Sequence, residues 1–284
     1  MRRQVEVTDK ISELRQIAAE IRRLVLQMIF RAGSGHPGGS LSAADIVTAL
    51  YFSVLHVDPE LPDWHDRDRF VLSKGHACPT LYAALALRGF FPVDELWTLR
   101  RIGSRLQGHP DRLKTPGIDA TTGSLGQGIS VALGMALAAK LDEADYKVYT
   151  LLGDGEVQEG QVWEAAMAAA HYQVDNLIAT IDFNGLQIDG PNEQVMSIQP
   201  LADKWKAFGW RVLTLDGHDM AQILQAYEEA QKNTGQPIVL IARTIKGKGI
   251  SFMENRFEWH AGAPSKEQYE KAMAELESVV VNHG

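Results

Sequence analysis

The segment Lys147-Val148-Tyr149-Thr150-Leu151-Leu152-Gly153-Asp154-Gly155-Glu156-Val157-Gln158-Glu159-Gly160 decides the reading of the whole chain. Its first six residues read as a buried strand, the kind of apolar run that parallel sheets carry. The run ends in a Gly-Asp-Gly turn, and a helix-like stretch follows from Gln161 to His171. A second apolar run, Leu177 to Ile181, ends in Asp182-Phe183-Asn184-Gly185. One predicted strand tip thus presents a carboxylate between two glycines, and the next presents an amide beside a glycine. Hard divalent cations take oxygen ligands of that kind. Glycines let backbone amides approach a phosphate closely. The pattern points to a metal-bridged diphosphate at the carboxyl edge of a parallel sheet.

Asp154 and Asn184 lie thirty positions apart, one strand-to-strand step of a βαβ unit, so their side chains can converge on one ion. A turn carbonyl near Leu186 adds a third protein oxygen; waters and phosphate oxygens complete about six ligands, as Mg2+ or Ca2+ prefers. Singly, Asp154 reads equally as a turn-shaping residue and Asn184 as a left-handed one. Their pairing at successive strand ends, with flanking glycines, favours the ion. The chain lacks a Gly-x-Gly-x-x-Gly fingerprint after a first strand, and it lacks a Walker-type loop, since Lys246-Gly247-Lys248-Gly249 has the wrong spacing. The diphosphate is therefore not expected to be that of NAD or ATP.

Around this centre the chain alternates strand and helix. A long amphipathic helix with Thr8-Asp9 as its N-cap runs to about Gly33. Ser34-Gly35-His36-Pro37-Gly38-Gly39-Ser40 reads as a loop, followed by a helix from about Ser42 to Leu55. Arg69 to Ser73 reads as a strand, Lys74-Gly75-His76 as its turn, and Pro79 to about Leu87 as a helix. Leu106-Gln107-Gly108-His109-Pro110-Asp111 gives a third Gly-His loop, and Thr121-Thr122-Gly123-Ser124-Leu125-Gly126-Gln127-Gly128 leads into an Ala/Gly-rich helix. Further on, strands are predicted at Arg211–Leu215 and Pro237–Ala242, helices at Pro200–Phe208, Asp219–Lys232 and Ser265–Val280, and an irregular stretch at Phe252–His260. This alternation fits one α/β domain over 1–284, with a mostly parallel sheet flanked by helices. Each loop histidine alone reads equally as a solvated or turn-capping residue; three Gly-His loops at predicted sheet edges favour a site.

Composition sets outer limits. The formal net charge of −8 argues against a nucleic-acid surface. Cys78 is the single cysteine, so no intrachain disulfide is available. No apolar h-region follows Met1-Arg2-Arg3, and no run of about 18 apolar residues exists, so a soluble, cytoplasmic protein without leader or membrane span is expected.

Taken in order, the Ser-Gly-His-Pro-Gly, Lys-Gly-His, Gly-His-Pro, Thr-Thr-Gly-Ser-Leu-Gly-Gln-Gly and Gly-Asp-Gly-Glu-Val-Gln-Glu-Gly motifs resemble transketolase, and Gly153 to Asn184 resembles the thiamine-diphosphate signature. The resemblance spans about residues 30 to 262. It implies the thiamine-diphosphate-binding fold, in its diphosphate-domain form, with Mg2+ or Ca2+ held by Asp154, Asn184 and the Leu186 carbonyl. It implies that His76, Gly155 and His260 contact the diphosphate and that Gly123 and Leu125 lie beside the aminopyrimidine. Ser124, Gly153 and Glu156 join the cofactor-binding positions. It also implies that His36, His109 and His260 line the substrate channel, with His36 and His260 moving protons and His109 holding the donor's C1 hydroxyl.

A full transketolase is more than twice this length, and its second domain carries the glutamate that activates the aminopyrimidine. The resemblance thus implies one subunit of a split enzyme, with a C-terminal partner carrying the pyrimidine domain in an α2β2 heterotetramer that acts on sugar phosphates. Glu159 matches a family position near the subunit interface; it reads otherwise as a solvated glutamate at a helix start. The alternatives are a 2-oxoacid dehydrogenase α chain, a deoxyxylulose-phosphate-synthase-like protein, and a non-catalytic cofactor-binding paralogue.

Overall fold

The computed structural model describes residues 2–281, with side chains from 8 to 277. The chain opens with helix α1 (Arg2–Ala32). This helix begins upstream of the predicted Thr8-Asp9 cap, so both residues lie inside it; Gly33, at φ +64°, ends it as a left-handed C-terminal residue should. Helix α2 (Pro37–Ser42) starts inside the stretch read as a loop, and α3 (Ala44–Ala49) and a π turn (Leu50–Val54) continue it. The glycine pair misleads here. Pro37 suits a first helical turn, and Gly38 is needed for contact: a Cβ there would lie 2.8 Å from the Trp259 carbonyl.

Strand β1 (Arg69–Leu72), helix α4 (Cys78–Arg88), helix α5 (Gln127–Leu141), strand β2 (Val148–Gly153), helix α6 (Gly160–His171) and strand β3 (Leu177–Phe183) follow. Then come a small hairpin, β4 (Leu186–Gln187) and β5 (Gly190–Pro191), and helices α7 (Asn192–Val195) and α8 (Leu201–Ala207). Strand β6 (Arg211–Asp216), helix α9 (Met220–Ala230), strand β7 (Ile238–Arg243) and helix α10 (Lys266–Val281) complete the domain. The predicted irregular stretch ends in a 3-10 turn, Phe257–His260.

The main sheet has the order β1-β2-β3-β7-β6, and every neighbouring pair is parallel. Strand residues alternate between its faces, and both faces are apolar. Phe70, Leu72, Leu151, Ile178 and Leu240 join one core with α1, α4 and α9. Val71, Leu152, Ile181, Val239 and Ile241 join the other with α5, α6 and Trp205. Helices therefore cover both faces. Because all strands run one way, the tips of β1, β2, β3 and β7 open onto one edge.

Buried carboxylates pin that edge. Glu156 is 2 % exposed and accepts from Ser73 Oγ (2.5 Å), Gly126 N (2.9 Å) and Gly153 N (2.9 Å). It thereby ties the tips of β1 and β2 to the loop before α5. Asp182, fully buried, accepts from Lys74 Nζ, Ser42 Oγ and Thr244 Oγ1. Asp45 takes both guanidinium prongs of Arg22 and the Nδ1 of His218, while His218 Nε2 accepts the Ile245 amide (2.8 Å). That chain anchors the loop after β7 to α1 and α3.

Burial alone would raise the Asp45 carboxyl, but Arg22 and His218 outweigh it and hold it at about 2. Its folded value lies below its unfolded 3.8, so its stabilisation is complete above about pH 4 and is lost as the pH falls toward 2. Urea titrations between pH 2 and 7 should show that loss in the native chain. Asp45→Asn should abolish that part of the acid dependence and lower stability near neutral pH by about 3 kcal/mol. Glu156→Ala strips three donors of their acceptor, which should cost about 3 kcal/mol; in hydrogen-exchange measurements the Gly126 amide should lose protection first.

Candidate functional site

Four loops converge at the carboxyl edge. The first carries His36 at the N-cap of α2. The second is Lys74-Gly75-His76 after β1; Gly75 lets it lie against Thr122, whose Oγ1 a Cβ would meet at 2.6 Å. The third is the 121–126 loop, held by Thr122 Oγ1 to the Leu72 carbonyl (2.8 Å) and by Gly126 to Glu156. The fourth is the Phe257–His260 turn, two residues beyond which the Gly262 amide donates to the Gly35 carbonyl (2.8 Å). The rings of His36, His76 and His260 form one cluster, with centroids 5.1 Å apart for His36–His76, 5.6 Å for His36–His260 and 5.1 Å for His76–His260. His109 stands at the exposed rim beside Gly123, where a Cβ would lie 3.5 Å from the imidazole. Leu125 is half-buried and Ser124 exposed on that same loop.

Lys246 links the ring cluster to the stretch after β3, the strand that pairs with β2. The Asp154 carboxylate is 2 % exposed and accepts from Gly155 N (2.8 Å) and Gly185 N (2.5 Å). Burial, and then the charge of Asp182, raise its pKa to about 6. The Asn184 Oδ1 accepts from Leu186 N (3.1 Å), and the Leu186 carbonyl accepts from Lys246 Nζ (3.1 Å). A buried carboxylate bonded to two main-chain amides, with an amide oxygen and a main-chain carbonyl on the stretch it touches, is a hard-oxygen donor set. The set fits Mg2+ or Ca2+, and the glycine-flanked backbone beside it fits a diphosphate. Glu156 sits differently: its carboxylate is consumed by Ser73, Gly126 and Gly153, so it frames the turn from behind.

The electrostatics favour neutral imidazoles. Burial first, then Arg100, His109 and Lys246, lower His36 to about 4. Burial, then Lys246, His36 and Lys74, lower His260 to about 3. Burial and Lys74 push His76 well down, and burial and Arg100 lower His109. Lys246 itself falls to about 8, chiefly through burial, and meets His260 Nδ1 at 3.1 Å.

Sequence reasoning missed three cations here. Lys246 and Lys74 lay in turns after predicted strands, a usable signal, but the adjacency of β7 to β3 was not readable. Arg100 gave no signal, yet it reaches Ser34 and His36 from a distant loop. A cleft of about 810 Å3 at the opposite, amino edge of the sheet, lined by His56, Asp68, Tyr146 and Gln231, holds none of these groups.

Residues 13–276 match the model of the family described as transketolase, thiamine diphosphate binding domain. The chain is 49 % identical over 265 residues to the 6-deoxy-6-sulfo-D-fructose transketolase subunit SqwG of Clostridium sp. (strain MSTE9), covering 93 % of this chain and 96 % of that one. It is 47 % identical over 255 residues to an apulose-4-phosphate transketolase subunit of Phocaeicola vulgatus, covering 90 % of each. It is 41 % identical to human transketolase over 272 residues, covering 95 % of this chain but 43 % of that enzyme. The crystal structure of Campylobacter jejuni transketolase superposes with a TM-score of 0.88 at 33 % identity, over 95 % of this chain and 45 % of that one. The chain thus spans less than half the length of these single-chain transketolases. With the Gly-Asp-Gly turn, the histidine loops and the parallel sheet in one arrangement, the chain belongs to the transketolase family, as its thiamine diphosphate binding domain.

Proposed function

We propose that this chain is the diphosphate-binding subunit of a split transketolase, transferring a two-carbon ketol unit from a ketose phosphate to an aldose phosphate. The observation that carries the reading is the cluster of His36, His76 and His260, joined to the Asn184–Leu186 stretch by Lys246, which meets His260 Nδ1 and donates to the Leu186 carbonyl. Asp154, Asn184 and the Leu186 carbonyl would hold Mg2+ or Ca2+. With one carboxylate in the set, these residues would leave positions on the ion for phosphate and water. His76, Gly155 and His260 face the diphosphate, with Gly153 and Glu156 shaping its cradle. Gly123, Ser124 and Leu125 bound the aminopyrimidine. When bound, thiamine diphosphate supplies the nucleophilic carbon and the electron sink for C–C cleavage. The chain's own part is orientation and proton movement: neutral His260 exchanges a proton with a substrate oxygen, neutral His36 donates a hydrogen bond to one, and His109 at the rim holds the donor's C1 hydroxyl.

The pyrimidine half comes from a C-terminal partner in an α2β2 assembly; the relatives that match this chain end to end are named as subunits. Glu159, exposed beside Gly126, lies at that contact. Exposed Val131 and Leu141 on α5, with Met167 on α6 and Tyr172 just after it, give the same side an apolar surface that a partner would cover. The relatives' names include a sulfonated ketose and a sugar phosphate, which supports a donor with an anionic tail. The other thiamine-diphosphate enzymes and the non-catalytic paralogue are not favoured, since relatives at 45–49 % identity are transketolase subunits. Among the described residues no helix is long and apolar enough to cross a membrane; we place the enzyme in the cytoplasm.

Calorimetry should show metal-dependent thiamine diphosphate binding that tightens when the partner is added. Asp154→Ala should weaken it at least about 100-fold, because losing even an outer-shell group costs about 10–100-fold. Purified alone, the chain should give no ketol transfer in a coupled assay with ketose phosphates; substantial turnover without partner refutes the split. Glu159→Arg should shift the complex toward free subunits in light scattering while the chain's melting temperature holds.

A further inference from the structure

We propose that Arg100 is a positioning residue that fixes the tautomer of His36, leaving the proton on Nε2. Three independent features hold Arg100 in place. Its backbone sits at φ +60°, a region that non-glycine residues rarely enter, and its amide donates to the Leu106 carbonyl (2.8 Å). Its guanidinium lies against Gly108, where a Cβ would come within 3.0 Å of Cζ and Nη2, so the glycine lets the two approach closely. Its two terminal nitrogens then reach across to the first histidine loop, Nη1 donating to Ser34 Oγ at 2.7 Å and Nη2 meeting His36 Nδ1 at 3.3 Å.

A guanidinium has five N–H donors, no acceptor, and keeps its proton in proteins. The nitrogen it meets must therefore supply a lone pair. His36 Nδ1 is the acceptor, and the ring's single proton sits on Nε2. A second proton on Nδ1 would point at a fixed cation, so the doubly protonated ring is disfavoured as well; burial and the Arg100 charge act in that direction. His36 thus meets a substrate as an N–H donor. In the proposed transfer it donates a hydrogen bond from Nε2 to an oxygen that gains negative charge, and it keeps that proton, because a neutral ring that lost it would become an imidazolate. Arg100 also bridges the loops of His36 and His109, because Gly108 directly precedes His109. One residue outside the family-matched motifs thereby sets the register of two histidines.

The catalytic half of this inference rests on the transketolase reading; the tautomer does not, and it is measured without substrate. In the full chain labelled with 15N-histidine, long-range proton–nitrogen spectra from about pH 6 to 8, where an ordinary histidine titrates, should show His36 Nδ1 unprotonated and Nε2 protonated. The resonances are assigned by their loss in His36→Asn. Arg100→Met should give a mixture of the two tautomers at His36, with the other ring patterns unchanged. In the complex with its partner, that variant should lose about 10-fold or more in kcat with KM held within about 2-fold, a modest share of what acid–base groups contribute. Should Arg100→Met fail to fold, Arg100→Lys replaces it, keeping the charge but not the two-pronged reach. A proton on Nδ1 in the native chain, or an unchanged tautomer in the folded variant, overturns the proposal. An intact tautomer result with no ketol transfer would refute the functional reading alone.

Discussion

The carboxyl edge of the sheet depends on one buried ion pair, Lys74 with Asp182, whose side chains are 2 % and 0 % exposed. Neither charge survives such burial alone. Asp182 is held in its charged form because the Lys74 ammonium and the hydroxyls of Ser42 and Thr244 outweigh desolvation. Lys74 also donates to the Gly39 carbonyl at 2.8 Å. Through these contacts the pair joins the tips of β1, β3 and β7 to α2, and α2 carries His36 at its start. An apolar pair of equal volume could fill the space, but it would not dictate which loops meet. The ion pair contributes register more than net stability, and register is what a site on separate strand tips requires.

The cations that build the edge also set its chemistry. Burial first depresses the charged form of all three clustered imidazoles; Lys246 adds to it at His36, His76 and His260, Lys74 at His76 and His260, and Arg100 at His36. The result is a group of uncharged rings at pH 7 inside a chain whose net charge is −8. Local cations, not net charge, prepare the edge for an anionic ligand. Asp154 is the counterweight. It is a carboxylate kept out of water beside another carboxylate, a position that a cation placed against it would relieve.

Much of this was legible from sequence because the signals were local. Apolar runs ending in glycine-rich turns located β1, β2, β3 and β7 to within one or two residues. The thirty-residue spacing of Asp154 and Asn184 correctly marked adjacent strands. The failures were of two physical kinds. In α2, Gly38 and Gly39 read as loop, whereas close packing against Trp259 and Lys246 demanded small residues within a helix. Lys246 and Arg100 entered the site through tertiary reach. Strand order brought one there and a left-handed backbone turned the other inward, and neither leaves a periodic trace. Glu156 shows a subtler limit: its neighbourhood was readable, but the direction its carboxylate faces was decided by Ser73 and Gly126, far away in sequence.

The all-parallel sheet has a kinetic corollary. Each strand pairing closes a long loop: β1 meets β2 only across the whole stretch from residue 73 to 147, and β3 meets β7 across residues 184 to 237. Such non-local pairings form slowly, because loop closure precedes any gain from contact. Asp154 and Asn184 need only the β2–β3 pairing, but the histidines come from loops far away in sequence, so the whole site exists only once the long closures are made. Ligand capture therefore reports complete folding, and a ligand that binds only the finished edge draws the population toward the native state by mass action.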